Sequence, residues 1–284
     1  MFTWLAPDRL YLDYGPIQAT ISAYRLGRPM HYEMEAACEY AAAQLKELAA
    51  CLPLAKLPPE KVKGVKKLPD ALFKMMGAVE KCGDSSLTSM AAVAGTFADM
   101  IADFLTEKGA TKVMVSNGGD LALRLADGEF VKVGIVSDIN QKSFSHMIKI
   151  TAQSEIRGVA TSGFGGRSFT KGIASAAVAF GGNCREADAA ATLIGNHCFS
   201  PDPAIRQVPA ETLDPDTDIK GHMVTLSIGE LSPDTTGRAI KNGITKAIEL
   251  MEQKVIIGAA IFVQEESAVL PEQLAKEIQL VKQN

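Results

Sequence analysis

The chain reads as a mixed helix-and-strand protein, and three observations predict it. Residues 10–26 and 112–125 each carry two short strand-forming runs around a glycine turn, the pattern of a hairpin. Residues 33–52 and 87–108 carry apolar residues at helical spacing over a long span. Residues 255–262, VIIGAAIF, are almost wholly apolar, as in a strand covered on both faces. No internal repeat, heptad pattern or linker divides two cores, so one domain over residues 1–284 is expected.

In chain order, LYLDYG and IQATISAYRL form the first hairpin around Gly15-Pro16, and an alanine-rich amphipathic helix over 33–52 follows. Residues 53–69 change texture, with four prolines, five lysines and one glutamate, and predict an exposed connection or insertion. The lysines could hold a phosphate, but no aromatic pattern accompanies them, so a solvated loop is the plainer reading.

The helix over 87–108 has Ser86, Thr88 or Ser89 as candidate caps and Gly109 just past its end. Val93, Phe97, Met100, Ile101, Phe104 and Leu105 form its core stripe, while Ala91, Ala94, Gly95 and Ala98 form a second, very small face. An interior glycine costs roughly 1 kcal/mol against alanine, so Gly95 predicts close approach, by a neighbouring helix or sheet or by a ligand.

A strand at 112–115 then runs into Ser116-Asn117-Gly118-Gly119-Asp120 and a partner at 121–125. These turn residues accept positive φ and need no function to explain them. The alternative is that the glycines bring backbone N–H groups against a ligand, with Asp120 facing a nucleotide or sugar. Strands at 130–137 and 147–151 continue the chain.

The stretch from Gly158 to Asn196 organises the rest. It holds the turn Thr161-Ser162-Gly163, a glycine-rich loop to Gly166, an apolar strand over 173–180, and a helix with Asn183 as N-cap and Glu186 three residues on, a capping box. In that helix Asp188 and Thr192 stand four apart, on one face, among alanines. A carboxylate and a hydroxyl are two hard oxygens of the kind Mg²⁺ takes, with waters and substrate phosphates completing its shell. The alternative is a small-residue packing helix whose Asp is merely solvated. Beyond it, residues 201–218 predict a surface excursion, 222–228 a strand, 236–254 a helix and 265–284 a polar C-terminal tail or helix.

The chain has 284 residues, 47% apolar and 22% charged, enough for a full core. A net charge of −4 supplies no basic footprint for nucleic acid. No apolar run reaches the roughly 18 residues of a membrane span, and the N-terminus lacks the basic and apolar regions of a signal peptide. Five cysteines, an odd count without C-x-x-C spacing, argue against a disulfide framework or zinc site. A cytoplasmic protein is expected. No nucleophile elbow, P-loop or dinucleotide fingerprint is present, and no two of His31, His146, His197 and His222 stand at ligand spacing. His197 fits a helix C-terminus, where a cation meets the dipole.

Three blocks occur in one order: MAAVAGTFAD at 90–99, VSNGGDLAL at 115–123, and VATSG at 159–163 leading to EADAAATLIGN at 186–196. Together they resemble the FAD:protein FMN transferase (ApbE) superfamily, in its compact, poorly characterised branch. The resemblance implies an α+β fold, ApbE-like, with mixed or antiparallel sheets packed with helices, binding FAD with Mg²⁺. It implies Asp188, Thr192 and a carbonyl near Val93 as metal ligands. It also implies Gly118, Gly119, Asp120, Thr161, Ser162 and Gly163 as the lining of the flavin nucleotide, and a target protein's threonine or serine hydroxyl as FMN acceptor.

Two departures accompany it. The family's lysine position is Ala94, and the family's histidine-containing segment is replaced by the shorter FGGRSFTKGIAS, where Arg167 or Lys171 could restore a cation. Three readings therefore stand together: a divergent Mg²⁺-dependent flavin or nucleotide phosphoryl transferase, a non-catalytic protein binding a flavin or small metabolite, and an enzyme of different chemistry in the same cleft. The small-residue helix faces are compatible with a homodimer.

Overall fold

The computed structural model describes residues 1–140 and 144–281. Its contacts gather into two compact units. The first takes Met1–Phe130, Thr151–Ala160 and Gly181–Ala189; the second takes Val131–Ile150, Thr161–Phe180 and the described residues from Ala190 on.

The chain begins with three strands, β1 (Phe2–Ala6), β2 (Arg9–Tyr14) and β3 (Ile17–Arg25), and a short return, β4 (Arg28–Pro29). The expected first hairpin is β2–β3, antiparallel, with Leu10 opposite Ile21 and Leu12 opposite Ala19. Next come α1 (His31–Ala50), α2 (Leu52–Ala55), a 3-10 turn at Pro59–Lys61, and α3 (Asp70–Cys82). A second 3-10 turn, Ser89–Ala92, leads into α4 (Val93–Glu107). The hairpin β5 (Lys112–Asn117) and β6 (Asp120–Leu125) follows, then β7 (Phe130–Ile135), β8 (His146–Thr151), β9 (Gly158–Ser162) and β10 (Ala176–Gly181). The chain continues through α5 (Cys184–His197), β11 (Ile205–Pro209), α6 (Ala210–Leu213), β12 (Met223–Ile228) and α7 (Pro233–Glu252). It closes with β13 (Gly258–Val263), β14 (Glu266–Leu270), α8 (Glu272–Glu277) and β15 (Gln279–Leu280). The fold is α+β.

In the first unit the strand order is β1-β2-β3-β5-β6-β9, every neighbour antiparallel. Helix α4 packs on β5 and β6 and also on α1 and α3. Phe97, Met100, Ile101 and Leu105 of its predicted stripe are buried, whereas Val93 and Phe104 at the stripe's margins are half-buried. In the second unit β10, β13 and β14 lie side by side, antiparallel, with α7 against β13 and β14. All six residues of β13 are buried, as its apolar run predicts. A β11–β12 pair and a three-stranded β15-β8-β7 sheet complete that unit. Among the described residues no helix is long and apolar enough to cross a membrane.

Four local expectations change. Residues 53–69 are not a wholly exposed loop: α2 and a 3-10 turn form there, and Ala55, Pro59 and Val62 are buried. Residues 201–218 include β11, which pairs with β12, and the short α6 with Ala210 fully buried. Residues 265–281 are ordered as β14, α8 and β15, because β14 completes the register of β13; the part of the expected tail at residues 282–284 lies outside the described residues. The helix expected from residue 87 starts at Val93, and neither Thr88 before the 3-10 turn nor Ala92 before α4 caps it through a side chain.

Candidate functional site

The first unit assembles one half of the predicted residues around the start of α5. Asn183 is its cap, as the spacing predicts, with Oδ1 accepting the Glu186 amide at 2.9 Å. The two amides before Glu186 are taken by a residue far away in sequence. Asp99 Oδ1 accepts from Cys184 N–H at 3.1 Å and Oδ2 from Arg185 N–H at 3.0 Å. Three of the orphan donors that open any helix are thus satisfied.

Asp99 is fully buried, and it is stabilised by cations as well as amides. Arg124 Nη2 donates to its Oδ1 at 2.9 Å and Arg185 Nη1 to its Oδ2 at 3.2 Å. Arg124 also donates through Nε to Asp103 at 2.8 Å. Burial pulls the Arg124 pKa down, but the charges of Asp99 and Asp103 outweigh it and raise it on balance. Asp99 and Arg124 were not among the predicted site residues; the available signal was an aspartate at 99, four before Asp103, inside an otherwise apolar helix face.

Asp188 is half-buried, and its Oδ2 accepts from Gly95 N–H, in the first turn of α4, at 2.8 Å. The predicted small face of α4 explains itself here. A Cβ on Gly95 would stand 2.4 Å from the Cys184 carbonyl oxygen and 2.8 Å from Asp188 Cβ, so only glycine lets the two helices meet. The close approach is helix packing with a carboxylate attached to it.

The Gly118-Gly119 turn is tied to the same place. Asn117 Nδ2 donates to Ala94 O at 3.1 Å, while its Oδ1 accepts Gln18 N–H at 3.2 Å. The turn itself is the expected two-residue hairpin, with Asn117 opposite Asp120 and φ of 65° and 110° at the glycines. Both glycines are exposed and Asp120 is buried. Nothing lies within 4 Å of a Cβ built on Gly119, so its backbone is open to approach. Val93, Gly118, Gly119, Asp120 and Asp188 are therefore held in one unit by two short hydrogen-bond links.

The other predicted residues belong to the second unit. Thr161 and Ser162 end β9, half-buried, and Gly163 is buried, where a Cβ would stand 2.8 Å from Ala174 O. The loop that follows returns to the end of α5: Lys171 N–H donates to Asn196 Oδ1 at 2.9 Å and Ile173 N–H to Cys198 O at 2.7 Å. A Cβ on Gly172 would stand 1.9 Å from Gly195 O, so glycine is required at this crossing as well. Arg167 is exposed in the loop and Lys171 is half-buried.

Within α5 itself, Asp188 and Thr192 lie one turn apart on one face, both half-buried. Their oxygens are hard donors of the kind Mg²⁺ takes. His197 is the last residue of that helix. Among the described residues no group of three or more His, Cys, Asp or Glu is placed to hold a metal, so a metal here would lean on the hydroxyl, a carbonyl and its own waters.

A family model described as AbpE bacteria matches residues 2–269. The chain is 34% identical over 123 residues to a UPF0280 protein of Methanococcoides burtonii, covering 43% of this chain and 49% of that one. It is 34% identical over 122 residues to a UPF0280 protein of Methanospirillum hungatei, covering 43% and 48%. It spans about half the length of the curated relatives it matches. Among solved structures, the apo form of Pseudomonas stutzeri flavinyl transferase ApbE is similar with a TM-score of 0.44 and 14% identity, over 89% of this chain and 90% of that one. The flavin transferase ApbE from Vibrio cholerae is similar with a TM-score of 0.45 and 12% identity, over 92% and 96%. With the family model matching from residue 2 to residue 269, the chain belongs to the AbpE bacteria family, in the ApbE-like superfamily that its three sequence blocks resemble.

Proposed function

We propose that this chain is a divergent Mg²⁺-dependent flavin or nucleotide phosphoryl transferase of the ApbE type, with residues 1–284 working as one domain. The observation that carries the reading is the pairing of Asp188 and Thr192 on one half-exposed face of α5, in a chain that the family model matches almost throughout. In this reading Asp188, Thr192 and the Val93 carbonyl hold the metal, which when bound neutralises charge on the FAD pyrophosphate. Gly118, Gly119, Asp120, Thr161, Ser162 and Gly163 line the flavin nucleotide. The open backbone at Gly119 admits the ligand closely, and the Asn117 links keep the turn from moving away. A target protein's threonine or serine hydroxyl oxygen bonds to the FMN-side phosphorus, the bond to the AMP oxygen breaks, AMP leaves, and the hydroxyl proton passes to solvent.

Calorimetric titration of FAD tests the reading, with Mg²⁺, with EDTA, and with Asp188→Asn. Asparagine keeps an oxygen for the Gly95 amide but lacks the charge. Binding that weakens at least about tenfold in EDTA and in the variant is expected, the size of one lost charged contact. Equal binding in all three would remove the metal assignment.

One observation favours a second reading, a non-catalytic flavin- or metabolite-binding protein. Ala94 stands where the resemblance expects a lysine, and the carbonyl of that residue is occupied by Asn117. Repeated release of AMP from FAD in the presence of an acceptor peptide would exclude it.

A further inference from the structure

We propose that a groove between residues 62–68 and α3 is a docking site for an acidic, amphipathic peptide segment of a partner protein. The groove encloses about 550 Å³ within the first unit and contains none of the residues assigned to metal or flavin, so the proposal stands apart from the transfer reading.

Its surface is apolar where a monomer gains nothing from it. Phe73 is 67% exposed and Val65 45% exposed, on opposite walls. Between them α3 carries Gly77 in mid-helix, with nothing within 4 Å of where its Cβ would sit. Neither tight packing nor positive φ requires glycine there, unlike Gly95. What the missing methyl does provide is depth, enough for one apolar side chain to enter beside Phe73.

The rim carries uncompensated positive charge. Lys63 pairs with Glu80 at 3.3 Å and Lys74 pairs with Asp70, so both acids of the groove are matched. Lys67 lines the groove, is exposed and makes no ion pair with a described residue; Lys61 and Lys66, outside the lining but next to it in the chain, are likewise exposed and unpaired among the described residues, against one exposed acid there, Glu60. Lys67 is held with φ of 61°, a left-handed conformation costly for a residue with a Cβ, just after Gly64 at φ of 94°.

Length decides the kind of occupant. From Asp70 to Glu80 the helix rises about 15 Å at 1.5 Å per residue, which matches a few helical turns or an extended segment rather than one ring system. An apolar floor, one deep step and a basic rim suit a segment that presents an apolar anchor flanked by Asp or Glu, as in helix-in-groove recognition.

The full chain is to be titrated against a short fluorescein-labelled peptide, read by anisotropy, with leucines at i, i+3, i+4 and i+7 and glutamates elsewhere. Saturable binding is expected, weakened at least about tenfold both by Gly77→Leu, which fills the step, and by Lys67→Glu, which reverses the rim, as for loss of an interface anchor. Melting followed by circular dichroism checks that both variants remain folded. The same peptide with lysines for glutamates is expected not to bind. No saturable binding, or equal binding by the variants or by the lysine peptide, overturns the proposal. Saturation by anilinonaphthalene sulfonate with the same variant dependence, without peptide binding, replaces the peptide by a small amphipathic anion and also overturns it.

Discussion

The carboxylate of Asp188 and the amide of Gly95 meet at 2.8 Å, so a residue of α5 closes the first turn of α4. The favour is returned: Asp99, on α4, closes the first turn of α5 through the Cys184 and Arg185 amides. Each carboxylate lies where the helix dipole presents partial positive charge. The two helices cap one another, and this fixes where Asp188 stands before any ligand is considered.

Gly95→Ala tests the contact directly. Alanine should gain roughly 1 kcal/mol in helix propensity, yet its Cβ would stand 2.4 Å from Cys184 O. Overpacking of this kind costs about 1–3 kcal/mol, and because the obstacle is backbone the upper end should apply. A fall in the urea midpoint is expected. A rise would mean that the helices separate freely.

Asp99→Ala leaves Arg124 and Arg185 without their buried partner and two amides without an acceptor. Removal of one side of a buried ion pair costs about 3–5 kcal/mol. Asp99→Asn, which keeps an acceptor oxygen, should cost less. Chemical denaturation of the two variants measures the order; equal and small losses would mean the network contributes little.

Gly77→Ala should act in the opposite direction to Gly95→Ala. Its Cβ meets nothing within 4 Å, so the gain comes without a clash, about 0.5–1 kcal/mol by helix propensity and lower entropy of the unfolded chain. The same urea titration that follows Gly95→Ala decides it.

The thiols should divide sharply. Burial, helped by Glu35 and Glu39, pushes the Cys38 thiol up to about 12, and burial alone takes Cys198 to about 12. Burial and then the charges of Asp99, Asp120 and Asp188 raise Cys184 well above its usual value. Because the thiolate is the reacting species, Ellman's reagent at pH 8 should find Cys51, the half-buried one, in the folded chain and all five after denaturation. Moving to pH 9 should not release Cys38, Cys184 or Cys198, since their thiols remain protonated there. Cys51→Ser should abolish the fast phase.

The site was legible in the sequence to different depths. The β5–β6 turn could be read locally, because Asn-Gly-Gly-Asp admits few backbone shapes. So could the cap of α5, since Asn183 and Glu186 are neighbours. Gly95 announced a close approach but not its partner. Asp99 looked like an ordinary polar residue in a helix, and its partners lie 25 and more residues away along the chain.

By itself the sequence determined the strongly patterned elements α1, α4 and β13, the β2–β3 and β5–β6 hairpins, the cap of α5, and the placement of Asp188 and Thr192 on one helical face. Those follow from interactions within a few residues, where spacing dictates geometry. Tertiary structure alone decided that α4 and α5 cap one another, that residues 53–69 fold into short turns with a buried valine, and that the last strands complete the β13 register. These depend on which distant groups arrive to satisfy a buried amide, charge or sheet edge, and no local pattern encodes that arrival.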